Sequence, residues 1–507
     1  MTRMPFPTGV PPLSAELRIP DTIPEPGLLV GWSLEATHRR TPVGFSFGPP
    51  KDGTSMGFVD PVLMKGEGHL LTIAPTGAGK GVGCIIPALL RHDGPIIVID
   101  PKGENTMVTA RHRRDIGQEV VILDPMGLTG EKPGRFNPLS LIDPGDARGV
   151  DEAATIVNAL LPLNLAGERN LYWLNRARTL MLACVLHVAT DMEPDDRTLA
   201  KVREVVNDLA ANPDKGARAM AKSRHPEVRM IADNLRIAAK ETLGSIISFA
   251  QEGIDFLRGP QIQDASSATT FDINAVTRGD PVSIYIVLPP HMLASHGRFL
   301  RLWIGSLLTL IMRRQAKPPA STLFILDEAA QLGTLDELRT AVTLLRGYGL
   351  QTWSFWQDVS QLKALYPNDW QTMVNNCRVF QAFGANNLAA ATDMAEIVGF
   401  LSGQSLLDLE QGEMLLQIAG DEAVIAQLPH YLTDPAFAGK FDDNPLFDSA
   451  RDPMPEARPL PSYLRARREL VRPARGAAGR TGPRPLEQNA IDELIAERLL
   501  DAARNSR

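Results

Sequence analysis

Residues 70–90, LLTIAPTGAGKGVGCIIPALL, constrain this chain more than any other stretch. An apolar run stops at Ile73, residues 74–81 carry the glycines of a tight turn, and residues 82–90 continue as an apolar helix. A strand that passes through such a turn into a helix builds a cradle for phosphate. Gly77 and Gly79 let the backbone bend so that N–H groups converge on an oxyanion, the positive helix end adds its field, and Lys80 reaches the outer phosphates. The expected nucleotide contacts are Pro75, Thr76, Gly77, Ala78, Gly79, Lys80, Gly81 and Val82. The loop departs from G-x-x-x-x-G-K-[ST] at both ends: Ala74 occupies the first glycine position, and Gly81 stands where a hydroxyl residue would touch Mg²⁺. Water then has to fill that ligand position.

A later apolar run, residues 322–326, delivers Asp327 and Glu328 at its carboxyl end. Asp327 can hold Mg²⁺ through water while Glu328 orients or deprotonates the attacking water, provided that the phosphate loop lies on an adjacent strand. Taken alone, such a pair also reads as a helix cap; with Lys80 in the same chain, a triphosphatase site is expected. The strand at 352–357 ends on Gln357, whose amide can sense the γ-phosphate or serve as a capping or surface group. Arg346 lies in a glycine-bounded turn, suited to reach across a subunit interface and stabilise transition-state charge. A salt-bridged surface role competes with that reading, and Arg378 competes for the task. Trp353 and Trp356 fall inside a strand, which favours sheet packing over base stacking.

With 507 residues, 44% hydrophobic and 22% charged, the chain has room for two or three domains and a sizeable core. Its three cysteines lie far apart, which excludes a disulfide framework or a cysteine zinc site. A net charge of -7 argues against a generally basic coat protein and leaves a local basic lining open. The longest apolar candidate, residues 299–312, carries Arg301, so no membrane crossing is expected.

The expected fold class is α/β, a mostly parallel sheet interrupted by an all-alpha insertion. Residues 1–60 read as an irregular arm with one or two strands. Residues 61–145 form the first α/β half, with buried strands at 95–100 and 120–124 and the charged residues Asp100, Lys102 and Glu104 just past the first. Residues 146–270 show helical periodicity throughout. Residues 271–447 resume the sheet, with strands at 282–288, 322–326, 352–357 and 378–383. Residues 448–507 read as a proline- and arginine-rich linker and an amphipathic helix.

The segments LTIAPTGAGKGVGCIIPALL, IVIDPKGEN, GRFNPL, LFILDEAAQLG, RGYGLQTWSFWQDVSQLKALYP and AATDMAEIVG resemble the TraG/TraD-type coupling proteins of conjugation and type IV secretion. The resemblance runs over about residues 68–441, and the DPKGE and RGYG segments are more specific than the phosphate loop. It implies a RecA-like P-loop motor domain interrupted by an all-alpha domain, in a homo-hexameric ring with ATP between subunits and DNA in the bore. Residue by residue, it assigns Lys80 to phosphate, Asp327 and Glu328 to Mg²⁺ and water, Gln357 to phosphate sensing, and Arg346 to the trans finger. Gly81 is common in that family. Such proteins usually carry an N-terminal membrane anchor, and this chain starts without one, so membrane association is expected only through partners, at the cytoplasmic face.

The expected activity is ATP-driven, sequence-tolerant transport of single-stranded DNA, with a relaxase or other cargo, toward a type IV secretion channel. Two alternatives stand beside it: a ring translocase for segregation or packaging, and a weakly hydrolysing platform that docks protein cargo.

Overall fold

The computed structural model describes residues 19–33, 41–48, 59–146, 148–162, 170–237, 239–399, 402–421 and 423–446. The linker and helix expected over 448–507 lie outside these residues. Twelve strands form one sheet: β1 (Leu28–Ser33), β2 (Phe45–Ser46), β3 (Asp60–Met64), β4 (His69–Ile73), β5 (Ile96–Ile99), β6 (Glu119–Leu123), β7 (Val282–Ile286), β8 (Thr322–Leu326), β9 (Leu350–Trp356), β10 (Cys377–Ala382), β11 (Glu413–Ile418) and β12 (Val424–Gln427). Their order is β2-β3-β1-β12-β11-β10-β4-β9-β8-β5-β7-β6.

From β10 to β6 all neighbours are parallel. Every residue of β4, β5, β7, β8 and β9 is buried. Helices cover both faces of a parallel sheet, so its strands carry uninterrupted apolar runs. Parallel order also puts all these carboxyl ends on one edge, with Ile73 opposite Trp356 and Ile99 opposite Leu326. One expectation needs correction: β8 is not adjacent to β4. Strand β9 lies between them, so Asp327 and Glu328 stand two strand spacings, roughly 10 Å, from the loop strand and must reach across the end of β9.

The other flank, β2-β3-β1-β12-β11-β10, is antiparallel throughout. The expected N-terminal arm is therefore part of the sheet where it is described. Strands β11 and β12 were not foreseen, although Gly412 and Gly420, with φ 89° and 76°, bracket β11 and mark its turns.

Between Gly149 and Arg278 the described residues form helices and no strand. Asn212 ends one helix and caps the next, accepting from the Lys215 N–H at 3.0 Å ahead of Pro213. Helix Leu171–Asp191 buries Leu180, Met181 and Leu186 in a hydrophobic cluster that runs on to Ile97 and Ile284 of the sheet. The helical segment thus shares the core on that face of the sheet.

Candidate nucleotide-binding site

The loop leaving β4 has the curvature that its glycines predict. Gly77 and Gly79 adopt φ 83° and 95°, and a Cβ on either would meet nothing within 4 Å, so backbone conformation rather than crowding demands glycine there. Pro75, Ala78 and Gly79 are half-buried while Thr76 and Gly77 are exposed. Gly384, leaving β10 at φ 71°, presses on the loop: a Cβ there would stand 2.6 Å from Ala78 Cβ.

The helix after the loop differs from expectation. Gly81–Ile85 form a π-turn, and the α-helix starts at Ile86 and ends at Arg91. Pro87 explains the wide turn, because a regular α-turn would set its ring against the Gly83 carbonyl and demand an N–H that it lacks. Gly83 is tightly packed, since a Cβ there would lie 3.1 Å from the Pro429 oxygen and press on it. Gly81 is open, with nothing within 4 Å, and the Val82 carbonyl accepts from the Tyr431 N–H at 3.3 Å.

Lys80 is 7% exposed and folds back over the loop. Its Nζ donates to the Ala74 oxygen at 2.9 Å and stands 3.5 Å from Glu328 Oε1. The ammonium is thus held at the loop by two acceptors, a carbonyl and a carboxylate.

Glu328 leaves β8 with φ 57°, a left-handed conformation that strains a residue bearing a side chain. It precedes the 3-10 turn Ala329–Leu332 but makes no capping hydrogen bond, so the cap reading fails. Its other oxygen, Oε2, accepts from Gln357 Nε2 at 2.7 Å. Gln357 is not a cap either: Asp358 caps helix Val359–Leu365 by accepting from the Gln361 N–H at 2.9 Å. Gln361 holds Gln357 from behind, accepting from its N–H at 3.1 Å and donating to its Oε1 at 3.4 Å. Sequence reasoning missed Gln361; the signal was an amide four residues on, across a capping aspartate.

Asp327 makes no hydrogen bond or ion pair with another described side chain. Burial pushes its carboxyl up to about 7, Asp100 and Glu328 push the same way, and Lys80 and Lys102 oppose them. Asp100, at the end of the neighbouring β5, is one of the charged residues that the sequence places at the ligand-binding edge, without a role assigned to it. It is 1% exposed and accepts from the Thr106 N–H at 2.8 Å and the Thr106 hydroxyl at 2.7 Å. Burial raises it to about 6 against those hydrogen bonds. Among the described residues no three carboxylates, histidines or cysteines gather as a ready-made metal cage; Asp327, without a hydrogen-bonding side chain, is the carboxylate left open to a single cation contact.

Arg346 and Arg378 lie elsewhere. Arg346 sits in the turn Leu345–Tyr348 that enters β9, whereas Gln357 leaves that strand, so about 20 Å of strand separates the two ends. Arg346 is exposed and forms no ion pair among the described residues. Arg378 is committed to packing: it donates to the Val43 oxygen at 2.5 Å and stacks 5.3 Å from the Phe45 ring centre. Trp353 and Trp356 are buried in the sheet, as expected.

Residues 38–405 match the family described as type IV secretory system conjugative DNA transfer. The chain belongs to this family. Among its relatives, the conjugal transfer protein TraG of Escherichia coli is 27% identical over 356 residues, covering 66% of this chain and 55% of that one. Protein VirD4 of Rhizobium radiobacter is 29% identical over 306 residues, covering 59% of this chain and 43% of that one. The chain thus spans about half the length of these relatives. The plasmid coupling protein TrwB, solved in complex with ADP and Mg²⁺, shares the fold at a TM-score of 0.55 and 16% identity, covering 71% of this chain and 85% of TrwB. Among the described residues of this family member, no helix is long and apolar enough to cross a membrane.

Proposed function

We propose that this chain is a P-loop ATPase that drives DNA, with a relaxase or other protein cargo, into a conjugative type IV secretion channel. The observation that carries the reading is the convergence of Lys80, Glu328 and Gln357 from three strands onto one edge, at 3.5 Å and 2.7 Å. Family membership supports the role in conjugative transfer, and the fold shared with a coupling protein that was crystallised with ADP and Mg²⁺ supports the nucleotide.

In this reading the loop N–H groups bind the β- and γ-phosphates of ATP, and Lys80 exchanges the Ala74 oxygen for a phosphate oxygen. Mg²⁺, when bound, neutralises developing charge on the phosphates. Asp327 would hold it, and the open space at Gly81 leaves room for a water ligand. Freed from Lys80, Glu328 accepts the proton of the attacking water while Gln357 fixes its orientation. Arg346, exposed and remote from its own Lys80, completes the site of the next copy in a homo-hexameric ring.

Residues 61–145 and 271–447 then form the motor, and 146–270 the inserted domain. Single-stranded DNA is bound without sequence preference.

The deciding experiment is ATP turnover with and without single-stranded DNA for the parent chain, Lys80→Ala and Glu328→Gln. DNA-stimulated turnover lost in both variants supports the motor. A parent chain that binds ATP without turnover supports the docking platform instead.

A further inference from the structure

The strained turn that carries Glu328 is held at its far end by an arginine from another element. Helix Pro290–Met312 brings Arg298 and Arg301 one turn apart onto a cleft of about 480 Å³. The opposite wall is the helical segment's Glu252 and Asp255, and the floor is the Gln331–Gly333 end of the Glu328 turn. Arg301 Nη1 donates to the Leu332 oxygen at 3.2 Å and would lie 3.5 Å from a Cβ on Gly333.

The turn between the two ends is short and stiff. The Gln331 N–H donates to the Glu328 oxygen at 2.9 Å, and the Gly333 N–H to the Ala330 oxygen at 3.1 Å. These two hydrogen bonds link the Leu332 end of the turn to Glu328.

Arg301 has donors to spare. It forms no ion pair among the described residues, and its one hydrogen bond to a carbonyl uses a fraction of a guanidinium's five N–H groups. Burial, reinforced by the like charge of Arg298, holds its pKa below the ordinary value, with only Glu337 opposing. Arg298 donates to the Glu252 backbone oxygen at 2.7 Å and stands 4.0 Å from the Glu252 carboxylate, and Asp255 is paired with Arg258 at 2.5 Å. Two guanidinium groups facing one polar cleft match a tetrahedral oxyanion better than any apolar ligand.

We propose that this cleft takes a phosphate group, from a nucleic-acid backbone or a free ion, between Arg298 and Arg301, and that Arg301 is thereby a positioning residue for Glu328. A phosphate oxygen competes with the Leu332 carbonyl for the guanidinium. The turn then relaxes as a unit and Glu328 moves off Lys80, so occupancy of the cleft raises turnover. The effect on turnover rests on the ATPase reading above; binding of phosphate in the cleft does not.

The test uses the full chain, an oligo-dT probe, and inorganic phosphate. Arg301→Ala, which frees the Leu332 carbonyl without phosphate, should raise turnover in the absence of oligo-dT about fivefold, the loss of one charge-assisted hydrogen bond, and leave little further stimulation, with the KM for ATP unchanged and Arg301→Lys restoring most of the parent behaviour. Arg298→Ala should raise the oligo-dT concentration for half-maximal stimulation by a similar factor. Stimulation curves that superimpose on the parent, an unstimulated turnover that falls, or a KM that shifts in step with kcat, overturn the proposal. Should Arg301→Ala melt early, Arg298→Ala and Arg301→Lys carry the same test.

If the parent shows no turnover, the ATPase reading fails and melting decides the cleft. Phosphate should then raise the melting temperature of Lys80→Ala, whose loop no longer retains the ion, and not that of Lys80→Ala with Arg298→Ala. Equal shifts in both overturn the cleft. Oligo-dT acting where free phosphate does not identifies the backbone as the source.

Discussion

Glu328 is shared between an ammonium and an amide, and that division separates binding from chemistry. Glu328→Gln keeps the contact to Gln357 and removes the base proposed above, so kcat should fall by about 10²-fold or more while nucleotide affinity holds, as fluorescent-nucleotide titration would reveal. Gly81 offers a gain instead of a loss. Its Cβ position is open, so Gly81→Ser should fold normally and lower the Mg²⁺ concentration needed for nucleotide binding. No change in Mg²⁺ dependence would mean that the added hydroxyl does not reach the ion.

Asp327 predicts a pH dependence whose sign is fixed. Its carboxyl is held near 7 in the folded chain, so below that value a proton must leave before the carboxylate can serve Mg²⁺. Affinity for Mg-nucleotide should therefore weaken as pH falls below about 7, by up to about tenfold per unit. Calorimetry in buffers of different ionisation enthalpy would detect the proton released on binding.

Elements meet at the loop in a way that composition does not announce. Strand β10 supports the phosphate loop through Gly384, whose left-handed φ of 71° and 2.6 Å approach to Ala78 both exclude a side chain. Gly384→Ala should destabilise the chain by about 1–3 kcal/mol and raise the Kd for ATP, since the strain falls on the loop itself. A melting curve and a nucleotide titration on the same variant check both halves. On the other side of the loop helix, Tyr431 holds the Val82 carbonyl, so the π-turn is braced by chain from beyond β12.

Across the molecule, residues 428–446 bind together parts that are far apart in sequence. Trp32 Nε1 donates to Asp434 Oδ2 at 2.9 Å, Asp442 pairs with Arg111 at 2.6 Å, and Asn444 Nδ2 donates to Glu104 Oε1 at 2.6 Å. Burial pushes Asp434 up to about 7 from an ordinary 3.8, with Trp32 and Thr433 opposing. Its folded state thus holds a proton that its unfolded state gives up, and stability is lost as pH rises between those values. Asp434→Asn keeps an acceptor and carries no such penalty, so its melting temperature relative to the parent should be higher at pH 8 than at pH 5. The comparison must be between variant and parent, because His69 and His92, held down to about 4 by burial, impose the opposite slope below their ordinary value.

The parallel strands, the phosphate loop and the acid pair could be read from residues alone, because each is written locally. A strand buried on both faces must be apolar throughout, a phosphate turn needs glycine where φ is positive, and a metal-facing strand end needs carboxylates. Strand order could not be read that way. That β9 separates β4 from β8, that β10 at residue 377 pairs with β4 at residue 69, and that the short strands near both ends of the described chain join one sheet depend on pairings between distant segments. The same holds for Gln361 behind Gln357, Asp100 beside Asp327, and the placement of Arg346 at the edge opposite its own Lys80. Their partners lie on other strands, and packing of the whole sheet brings those strands together.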